Sequence, residues 1–417
     1  MTETDNGVVQ DSRIHTSTPY RWFTDPDIYA REQERIFRGA TWSFLGMAVE
    51  IPNTGDYKST FVGDTPVVMT RTKSGEVVAW VNRCAHRGAT VCRFSRGNAT
   101  KHTCIYHQWS YDAAGQLRGV PFRRGYQEHT GMPEGFDPKQ HSLQRLRVEV
   151  YHGLVFATFD HSMQSLPDYI GPQMRPWLDR LVAGRELVYL GCTRQYSKSN
   201  WKLYYENVKD LYHASLLHLF HTTFNIMRVS MESRTIPDAR DGLHSVITTT
   251  RQDDDAGADE YRKDGLRSFN EDIRLHDMEV LRSRDEFDEP ITNHIQTIFP
   301  SLVVQQIHNT MALRQLLPKG PGEFELVFHY FGYSDDDEEL RAMRVLQANL
   351  VGPAGYISME DTEATELIQR AAQAAQDRGS TMLLGLDDPV PDERSNISEH
   401  VLRSFWAGYR DLMGLKS

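Results

Sequence analysis

Short runs of alternating hydrophobic and polar positions dominate the chain from residue 42 to residue 160. The clearest are DYKSTFVG, PVVMTRT, EVVAWVNR and GLVFATFD, and turn-forming stretches such as KSGE, DAAGQ and YHG separate them. Alternation over five to eight residues between turn signals is typical of half-buried antiparallel strands. The pattern therefore predicts a small all-β domain over residues 42–160.

The pattern differs on both sides of this region. Upstream, DPDIYAREQERIFRGAT has apolar residues at helical spacing after Asp-Pro, which predicts a helix within a lead-in of residues 1–41. Downstream, strands such as TMALRQLLPK and FELVFHYFGY alternate with helical stretches such as DEELRAMRVLQANLV. We therefore expect residues 161–417 to form an α+β domain whose antiparallel sheet is covered by helices, with the lead-in packed on it.

Charge and targeting signals narrow the class of function. The chain has 46 Lys and Arg against 57 Asp and Glu, a net charge of −11, which argues against a nucleic-acid or anionic-membrane partner. Its N-terminal stretch has neither a basic region nor an apolar core, and no apolar run approaches the roughly 20 residues of a membrane span. These features predict a cytoplasmic protein that acts on small molecules or other proteins.

Two short arms carry the first candidate chemistry. Cys84 and His86 form C-x-H, and Cys104 and His107 form C-x-x-H, so each arm offers one thiolate and one imidazole. A zinc finger usually places both cysteines in one arm and both histidines in the other. A [2Fe–2S] cluster of the Rieske type needs two thiolates on one iron and two imidazoles on the other, and mixed arms supply them. The remaining cysteines, Cys92 and Cys192, are interpreted as buried hydrophobic residues.

A second constellation lies in NWKLYYENVKDLYHASLLHLFHTTF. Asn207, Asp210 and His213 are spaced i, i+3 and i+6, which predicts one face of a helix. His218 would lie about 140° from His213 on the same helix, so both can reach one ion only if the helix breaks or bulges between them. Two histidines and a carboxylate are typical of non-haem Fe(II) oxygenases. Spacing leaves His221 as a rival ligand, and the carboxylate is either Asp210 or a distant residue.

Several motifs together resemble the large, or alpha, subunit of the Rieske non-haem iron aromatic ring-hydroxylating oxygenases. They are HRGA and CIYHQW in the cysteine–histidine arms, the D-x-x-H-x-x-x-x-H pattern, and GPAGYISMED, within a likeness that runs over nearly the whole chain. The resemblance implies an α+β protein with an all-β Rieske [2Fe–2S] domain and a helix-grip-like catalytic domain. It also implies that Cys84 and Cys104 hold the inner iron, and His86 and His107 the outer one.

For the second centre, the resemblance implies that His213, His218 and Asp361 bind a mononuclear Fe(II). Asp210 would be the catalytic bridge that joins a cluster histidine of one chain to an iron histidine of the next. Some members have one more residue between the Asn and the bridging Asp than ENVKD has here, which leaves the role of Asn207 open. Glu360 and Glu363 are interpreted as solvated surface carboxylates.

The same resemblance implies the reaction and the partners. Electrons from NAD(P)H would arrive through a separate reductase or ferredoxin, because the chain has no G-x-G-x-x-G fingerprint of its own. O₂ would be activated in a ring of three alpha subunits, with or without a small beta subunit. GVPFRRG, ENVKDLYHASLLH and QANLVGPAGYIS resemble the branch that acts on benzoate-like acids, including terephthalate, salicylate and anthranilate. An arene carboxylate needs a cation in an apolar slot, and Arg314 is the candidate.

Two other classes of function remain for comparison. A Rieske electron-transfer protein would carry the cluster without mononuclear iron and would not consume O₂. A zinc-bound structural module would carry neither iron centre and would be colourless. Metal content separates the three hypotheses.

Overall fold

Most of the chain folds around two large antiparallel sheets. The computed structural model describes residues 16–127, 129–250, 257–387, 394 and 396–415. The first 15 residues of the expected lead-in, which include most of the stretch searched for a targeting signal, lie outside this range. No helix within the described ranges is both long enough and apolar enough to span a membrane.

The first half of the fold is built from short strands, as the alternating pattern predicts. Strands β1, β10, β9, β4, β3, β2 and β5 form a seven-stranded antiparallel sheet in that order, and β6, β7 and β8 form a small sheet that carries the second cysteine–histidine arm. In chain order these strands are β1 (Ser43–Met47), β2 (Asp56–Val62), β3 (Thr65–Arg71), β4 (Val77–Val81), β5 (Arg96–Asn98), β6 (Lys101–Thr103), β7 (Ser110–Asp112), β8 (Leu117–Gly119), β9 (Arg145–Tyr151) and β10 (Leu154–Thr158).

A second seven-stranded antiparallel sheet follows in the chain. Its strands run in the order β11, β17, β16, β15, β14, β13 and β12, so the sequence from β12 to β17 is a continuous meander that ends beside β11. The strands are β11 (Leu187–Ser197), β12 (Ser233–Pro237), β13 (Ser245–Thr250), β14 (Ile291–Ile298), β15 (Leu302–Ile307), β16 (Thr310–Gly320) and β17 (Glu323–Tyr333).

Helices cover the second sheet, which confirms the α+β class. The stretch DEELRAMRVLQANLV, predicted as helical, corresponds to α8, and α10 is a second amphipathic helix. The inner faces of these two helices bury residues such as Met343, Phe405 and Trp406. The helices are α1 (Pro26–Glu32), α2 (Leu166–Ile170), α3 (Arg175–Val182), α4 (Trp201–Asn207), α5 (Leu211–Leu217), α6 (Leu219–Thr223), α7 (Ala258–Lys263), α8 (Glu338–Val351), α9 (Tyr356–Ala374) and α10 (His400–Met413).

The lead-in contacts the helices of the second half of the chain. Helix α1 begins after Asp25, whose side chain accepts the amide hydrogen bond of Asp27, and it continues into a wider turn over Gln33–Phe37. The buried carboxylate of Glu32 accepts a hydrogen bond of 2.8 Å from the indole of Trp201 and also binds Lys202. Helix α1 is thereby fixed against the start of α4.

Helix α9 is held in a defined rotation by polar contacts with the start of α4. Its buried side includes Asp361, Thr365 and Gln369, which are four residues apart and therefore share one face. The Gln369 side chain accepts a 2.9 Å hydrogen bond from the amide of Asn200, the N-cap of α4. This contact sets Asp361 opposite the histidines that follow α4.

Candidate metal centres and substrate cavity

The two cysteine–histidine arms have the same backbone turn. In the first arm Cys84 N donates to Ala89 O at 2.8 Å and Gly88 N donates to Cys84 O at 2.9 Å. In the second arm Cys104 N donates to Trp109 O at 2.9 Å and Gln108 N to Cys104 O at 3.0 Å. Gly88 and Gln108 both have positive φ, of 77° and 59°, which closes each turn. The mixed spacing in sequence therefore becomes two matched loops.

The loops place the thiols inside and the imidazoles outside. Cys84 and Cys104 are buried, whereas His86 is exposed and His107 is half-buried. The two imidazole rings lie with their centroids 4.5 Å apart. Burial is the first cause that raises the pKa of the Cys104 thiol, and the neighbouring Cys84 raises it further. Two buried sulfurs and two paired outer nitrogens are the donors that a Rieske cluster needs.

Aromatic side chains support both pairs. The Tyr111 hydroxyl lies 3.2 Å from Cys84 Sγ and accepts a 3.1 Å hydrogen bond from the amide of Ala85. The buried ring of Trp109 stacks on His86 with centroids 4.8 Å apart and planes 5° from parallel. Hydrogen bonds near the sulfurs and packing around the imidazoles are the contacts by which proteins tune a cluster potential.

The stretch that carries the second constellation is not one continuous helix. Helix α4 ends at Asn207, Asp210 caps the start of α5, and His218 separates α5 from α6 with extended backbone angles of φ −84° and ψ 103°. The prediction that Asn207, Asp210 and His213 share one helix face is therefore wrong. The break required between His213 and His218 is present at His218 itself.

Three side chains converge across these breaks. His213, His218 and Asp361 each offer one ligand atom, and those atoms all lie within 4.8 Å of one another. Nε2 of His213 and Nε2 of His218 lie 3.4 Å and 3.2 Å from Asp361 Oδ1. Two imidazole nitrogens and one carboxylate oxygen are the donor set of a non-haem Fe(II) site, so these residues fit that ion.

The outward nitrogens of both rings face carboxylates. His218 Nδ1 lies 3.0 Å from Glu360 Oε2, and His213 Nδ1 lies 3.4 Å from Asp210 Oδ2. Metal-binding histidines usually donate their second N–H to such an acceptor, which fixes the ring and its tautomer. The interpretation of Glu360 as a solvated surface carboxylate is wrong, because its side chain is 16% exposed and contacts His218. Glu363, by contrast, is exposed.

The electrostatics around His213, His218 and Asp361 favour a bound cation. Burial lowers the pKa of His213, but hydrogen bonds and charge from Asp210 and Asp361 outweigh it and raise the pKa to about 10. Burial raises the pKa of Asp361, but the charges of His218 and His213 hold it well below its usual value. A positive charge is thus stabilised where the three ligand atoms meet, and a divalent metal ion satisfies the same demand.

The neighbouring polar residues resolve two points that spacing left open. Asn207 Nδ2 lies 3.3 Å from His213 Nε2 and donates to Asp361 Oδ1 at 3.2 Å, so this side chain faces the ligand atoms. His221 is buried with its Nδ1 3.2 Å from the carbonyl of Ala214, and it is not part of the converging group. The geometry therefore favours His218 over His221 as the second ligand.

A cavity opens on these ligand atoms. Apolar residues such as Ile247, Ile295 and Ile307 line it, and Arg314 lies in the same wall. The Arg314 side chain is buried, donates a 2.7 Å hydrogen bond to the Tyr204 hydroxyl, and lies 5.3 Å from the centroid of the Phe328 ring. Within the described residues, no carboxylate forms an ion pair with it, and its Nε has no hydrogen-bond partner. The guanidinium therefore keeps an unpaired N–H in the cavity wall.

The two remaining cysteines differ in their surroundings. Cys92 is buried, and its Sγ lies 3.1 Å from Nδ1 of His102, so the interpretation of a buried thiol is correct. Cys192 is exposed on β11, so the same interpretation is wrong there. Neither belongs to the arms that present the paired ligands.

Family comparisons agree with both halves of the fold. The Rieske [2Fe-2S] domain family matches residues 41–131, and the catalytic domain of the ring-hydroxylating alpha subunits matches residues 179–415. The fold also resembles that of naphthalene 1,2-dioxygenase from Rhodococcus sp. bound to indole, with a TM-score of 0.78 and 23% identity. That likeness covers 96% of this chain and 95% of the other.

Curated relatives extend the match over almost the full length. The chain is 62% identical over 397 residues to the anthranilate 1,2-dioxygenase large subunit of Burkholderia cepacia, covering 95% of this chain and 93% of the relative. It is 41% identical over 400 residues to the terephthalate 1,2-dioxygenase terminal oxygenase component subunit alpha 2 of Comamonas sp, covering 96% of each chain. These findings, with the two ligand sets above, establish that the chain belongs to the alpha subunits of the Rieske-type aromatic ring-hydroxylating dioxygenases.

Proposed function

We propose that this oxygenase alpha subunit binds two iron centres through the residues that converge in its two halves. Cys84, His86, Cys104 and His107 would hold the [2Fe–2S] cluster. His213, His218 and Asp361 would hold the mononuclear Fe(II). The observation that carries the proposal is that these last three side chains meet in the wall of the cavity that contains Arg314.

The [2Fe–2S] cluster and the mononuclear Fe(II) have complementary chemistry. When bound, the cluster supplies single electrons and the ferrous ion supplies an open position at which O₂ is activated. The protein's own contribution is positional: Glu360 and Asp210 orient the two imidazoles, and Asn207 donates to Asp361 beside the ligand atoms. The apolar wall excludes water from the ring that is to be hydroxylated.

We further propose that the substrate is an aromatic carboxylate of the anthranilate, terephthalate and salicylate class. Arg314 would bind the carboxylate in a two-point contact, since its guanidinium is buried, is held by Tyr204, and lacks an acidic partner within the described residues. The isoleucines of the cavity would contact the ring. The names of the two curated relatives, an anthranilate and a terephthalate dioxygenase, support this class.

The proposal extends to assembly and to electron supply. Asp210 Oδ1 accepts a 2.9 Å hydrogen bond from Tyr212 N, and its Oδ2 faces His213. Its side chain remains 21% exposed, so it is accessible to a second chain. A ring of three alpha subunits would place a cluster histidine of the neighbour against it. Electrons would come from NAD(P)H through a reductase, with or without a ferredoxin, and a beta subunit would be an additional component.

The domain division is part of the same proposal. Residues 1–41 would be a lead-in that packs on the catalytic domain, residues 42–160 the cluster domain, and residues 161–417 the catalytic domain. Strand β10 ends at Thr158 and helix α2 begins at Leu166, so the second boundary falls between regular elements.

A single-turnover experiment tests the function without knowledge of the natural reductase. Protein loaded with both iron centres is reduced with dithionite, freed of excess reductant, and mixed with O₂ and one aromatic compound. We expect hydroxylated product from at least one of anthranilate, salicylate, benzoate and terephthalate, and much less from the corresponding amide. Cluster oxidation without product from any acid would contradict the proposal.

A further inference from the structure

The imidazole of His221 lines the cavity beside the proposed metal ligands and does not belong to them. Its Nδ1 lies 3.2 Å from the carbonyl oxygen of Ala214 on α5. Its ring centroid lies 4.6 Å from that of His218, with the two planes at 67°. The backbone carbonyl of His221 also accepts hydrogen bonds from the amides of Ile226 and Met227. Backbone and ring are therefore both held in place next to His218.

The contact with Ala214 determines which nitrogen of the His221 ring carries the proton. A carbonyl oxygen can only accept, so Nδ1 donates, and Nε2 of the neutral ring keeps a lone pair. A second proton on Nε2 would place an unpaired charge in a buried wall, which is costly. Nε2 is buried and has no hydrogen-bond partner among the described residues. His221 therefore offers an acceptor for which this part of the chain supplies no donor.

Two amide groups in the same wall are engaged elsewhere. Asn207 Nδ2 donates to Asp361 Oδ1 at 3.2 Å, and Asn293 Nδ2 donates to the carbonyl of Ile226 at 2.9 Å. Much of the remaining wall is isoleucine, which has no hydrogen to donate. A donor for His221 Nε2 must therefore come from whatever occupies the cavity.

An unpaired buried acceptor selects between ligands of the same shape. A ligand with an N–H group at this point satisfies Nε2, whereas a methyl group of similar size leaves it unpaired. Sites built around a buried polar group discriminate strongly against the analogue that lacks its partner. An amino group on an aromatic ring has two hydrogens, so one remains for the protein even if a neighbouring carboxylate accepts the other.

We infer that His221 is a specificity-determining residue whose Nε2 accepts a hydrogen bond from the amino group of an amino-substituted aromatic acid. Because the His221 ring contacts the His218 ring, this amino group lies on the side of the substrate that faces the metal ligands. The inference rests on the proposed function, in which the cavity holds an aromatic carboxylate. It does not depend on which residue binds the carboxylate.

The test compares ligands of nearly equal size on one protein. Dissociation constants of the ortho, meta and para isomers of aminobenzoate, each paired with the corresponding methylbenzoate, are measured anaerobically on iron-loaded wild-type protein and on His221→Phe. In the wild type we expect at least one amino isomer to bind roughly 5- to 150-fold more tightly than its methyl partner. In His221→Phe, which keeps an aromatic ring but no acceptor, that ratio should fall to about one. Each ratio is taken within one preparation, so the folded fraction cancels.

Met227→Leu provides the matched control, because Met227 is a buried apolar residue of the same cavity and its replacement removes no polar atom. Its ratios should stay close to those of the wild type. His221→Phe should also retain its iron, since His221 is not among the converging ligand atoms.

Three results would overturn the inference. They are equal binding within every pair on the wild type, an unchanged preference in His221→Phe, and loss of iron from that variant, which would make His221 a ligand. The first applies even if His221→Phe fails to fold. If none of the six acids bound to the wild type, the proposed aromatic-acid function would itself fail.

Discussion

Glu360 Oε2 lies 3.0 Å from Nδ1 of His218, while Nε2 of the same ring lies 3.2 Å from Asp361 Oδ1. Consecutive carboxylates of helix α9 thus contact opposite edges of one imidazole. The break between α5 and α6 at His218 makes this possible, because it turns the ring away from the helix and towards α9. Asp361 is positioned to bind the metal, and Glu360 is positioned to hold the imidazole of His218.

Removing the charge of Glu360 should weaken iron binding without unfolding the protein. In Glu360→Gln we expect the affinity for Fe(II) to fall about 10- to 100-fold, since the acceptor that orients His218 becomes neutral. The measurement is iron retained after dialysis against graded chelator. Glu363→Gln on the exposed side of the same helix is the control. Equal iron loss in both variants would refute an orienting role for Glu360.

Asp210→Asn should separate metal occupancy from electron delivery. Because Asp210 is not among the converging ligand atoms, and its 3.4 Å contact with His213 Nδ1 is longer than the 3.0 Å contact of Glu360 with His218, both iron centres should remain loaded. We expect re-oxidation of the pre-reduced cluster by substrate and O₂ to slow by orders of magnitude, measured by rapid mixing. An unchanged rate would remove Asp210 from the proposed path between subunits.

Arg314→Met should weaken the binding of a charged ligand more than the binding of an uncharged ligand of the same shape. A charge-assisted hydrogen bond to a buried guanidinium contributes about 1.5–3 kcal/mol, so affinity for an aromatic acid should fall roughly 10- to 150-fold. The affinity for the uncharged amide of the same acid should change much less. Substrate-dependent O₂ uptake with acid and amide pairs measures both. Equal losses would mean that Arg314 supports the packing around Tyr204 and Phe328 and does not bind the carboxylate.

Glu50 should be a major stabilising residue between the two large sheets. Its buried carboxylate lies 2.9 Å from Lys58 Nζ and 2.6 Å from Arg96 Nη2, and 3.5 Å from Nδ1 of His329 on β17. Glu50→Gln leaves the buried Lys58 ammonium without its counter-charge, which typically costs about 3–5 kcal/mol of unfolding free energy. Urea unfolding measures this cost.

The exposed pair of Glu76 and Arg145, 3.8 Å apart, supplies a control. Glu76→Gln should change the unfolding free energy by less than about 1 kcal/mol. Similar effects of the two substitutions would contradict the account of Glu50.

The Glu50 carboxylate should also cause the stability of the folded protein to fall at acid pH. Burial raises the pKa of Glu50, but the charges and hydrogen bonds of Lys58 and His329 outweigh it and lower the pKa far below its usual value. Its contribution is therefore complete above the unfolded-chain pKa of about 4.3 and is lost as the pH falls towards the folded-state value. Between pH 5 and pH 3 wild-type stability should fall more steeply than that of Glu50→Gln, and parallel curves would contradict this assignment.

The sequence predicts the cysteine–histidine arms well because their ligands are local. Cys84 with His86, and Cys104 with His107, lie within single turns whose hydrogen bonds are set by neighbouring residues. Most of the strands around them also coincide with the short apolar runs between turn signals, although β1 and β10 are buried on both faces. Local spacing is sufficient information for the turn within each arm.

The second site depends on contacts that spacing does not contain. Asp361 reaches the histidines through the packing of helix α9 against α4, to which the hydrogen bond between Asn200 and Gln369 contributes, and this long-range packing has no local signature. The breaks at Asp210 and His218 likewise override a stretch with helical periodicity. The segment around Asp210 has no proline to signal a break. Its only signal is Asp210 itself, a residue type that often caps helix N-termini, and treating Asp210 as an N-cap would have predicted the first break.

Iron and acid-labile sulfide content of Ala variants tests the central claim most directly, namely that two separate ligand sets hold two iron centres. Wild-type protein should contain about three iron atoms and two sulfides per chain. His213→Ala and Asp361→Ala should each lose one iron atom, keep both sulfides and the visible spectrum of the cluster, and form no product. Loss of sulfide together with iron, or three iron atoms and full turnover in His213→Ala, would contradict the assignment, and the latter would make His221 the better candidate.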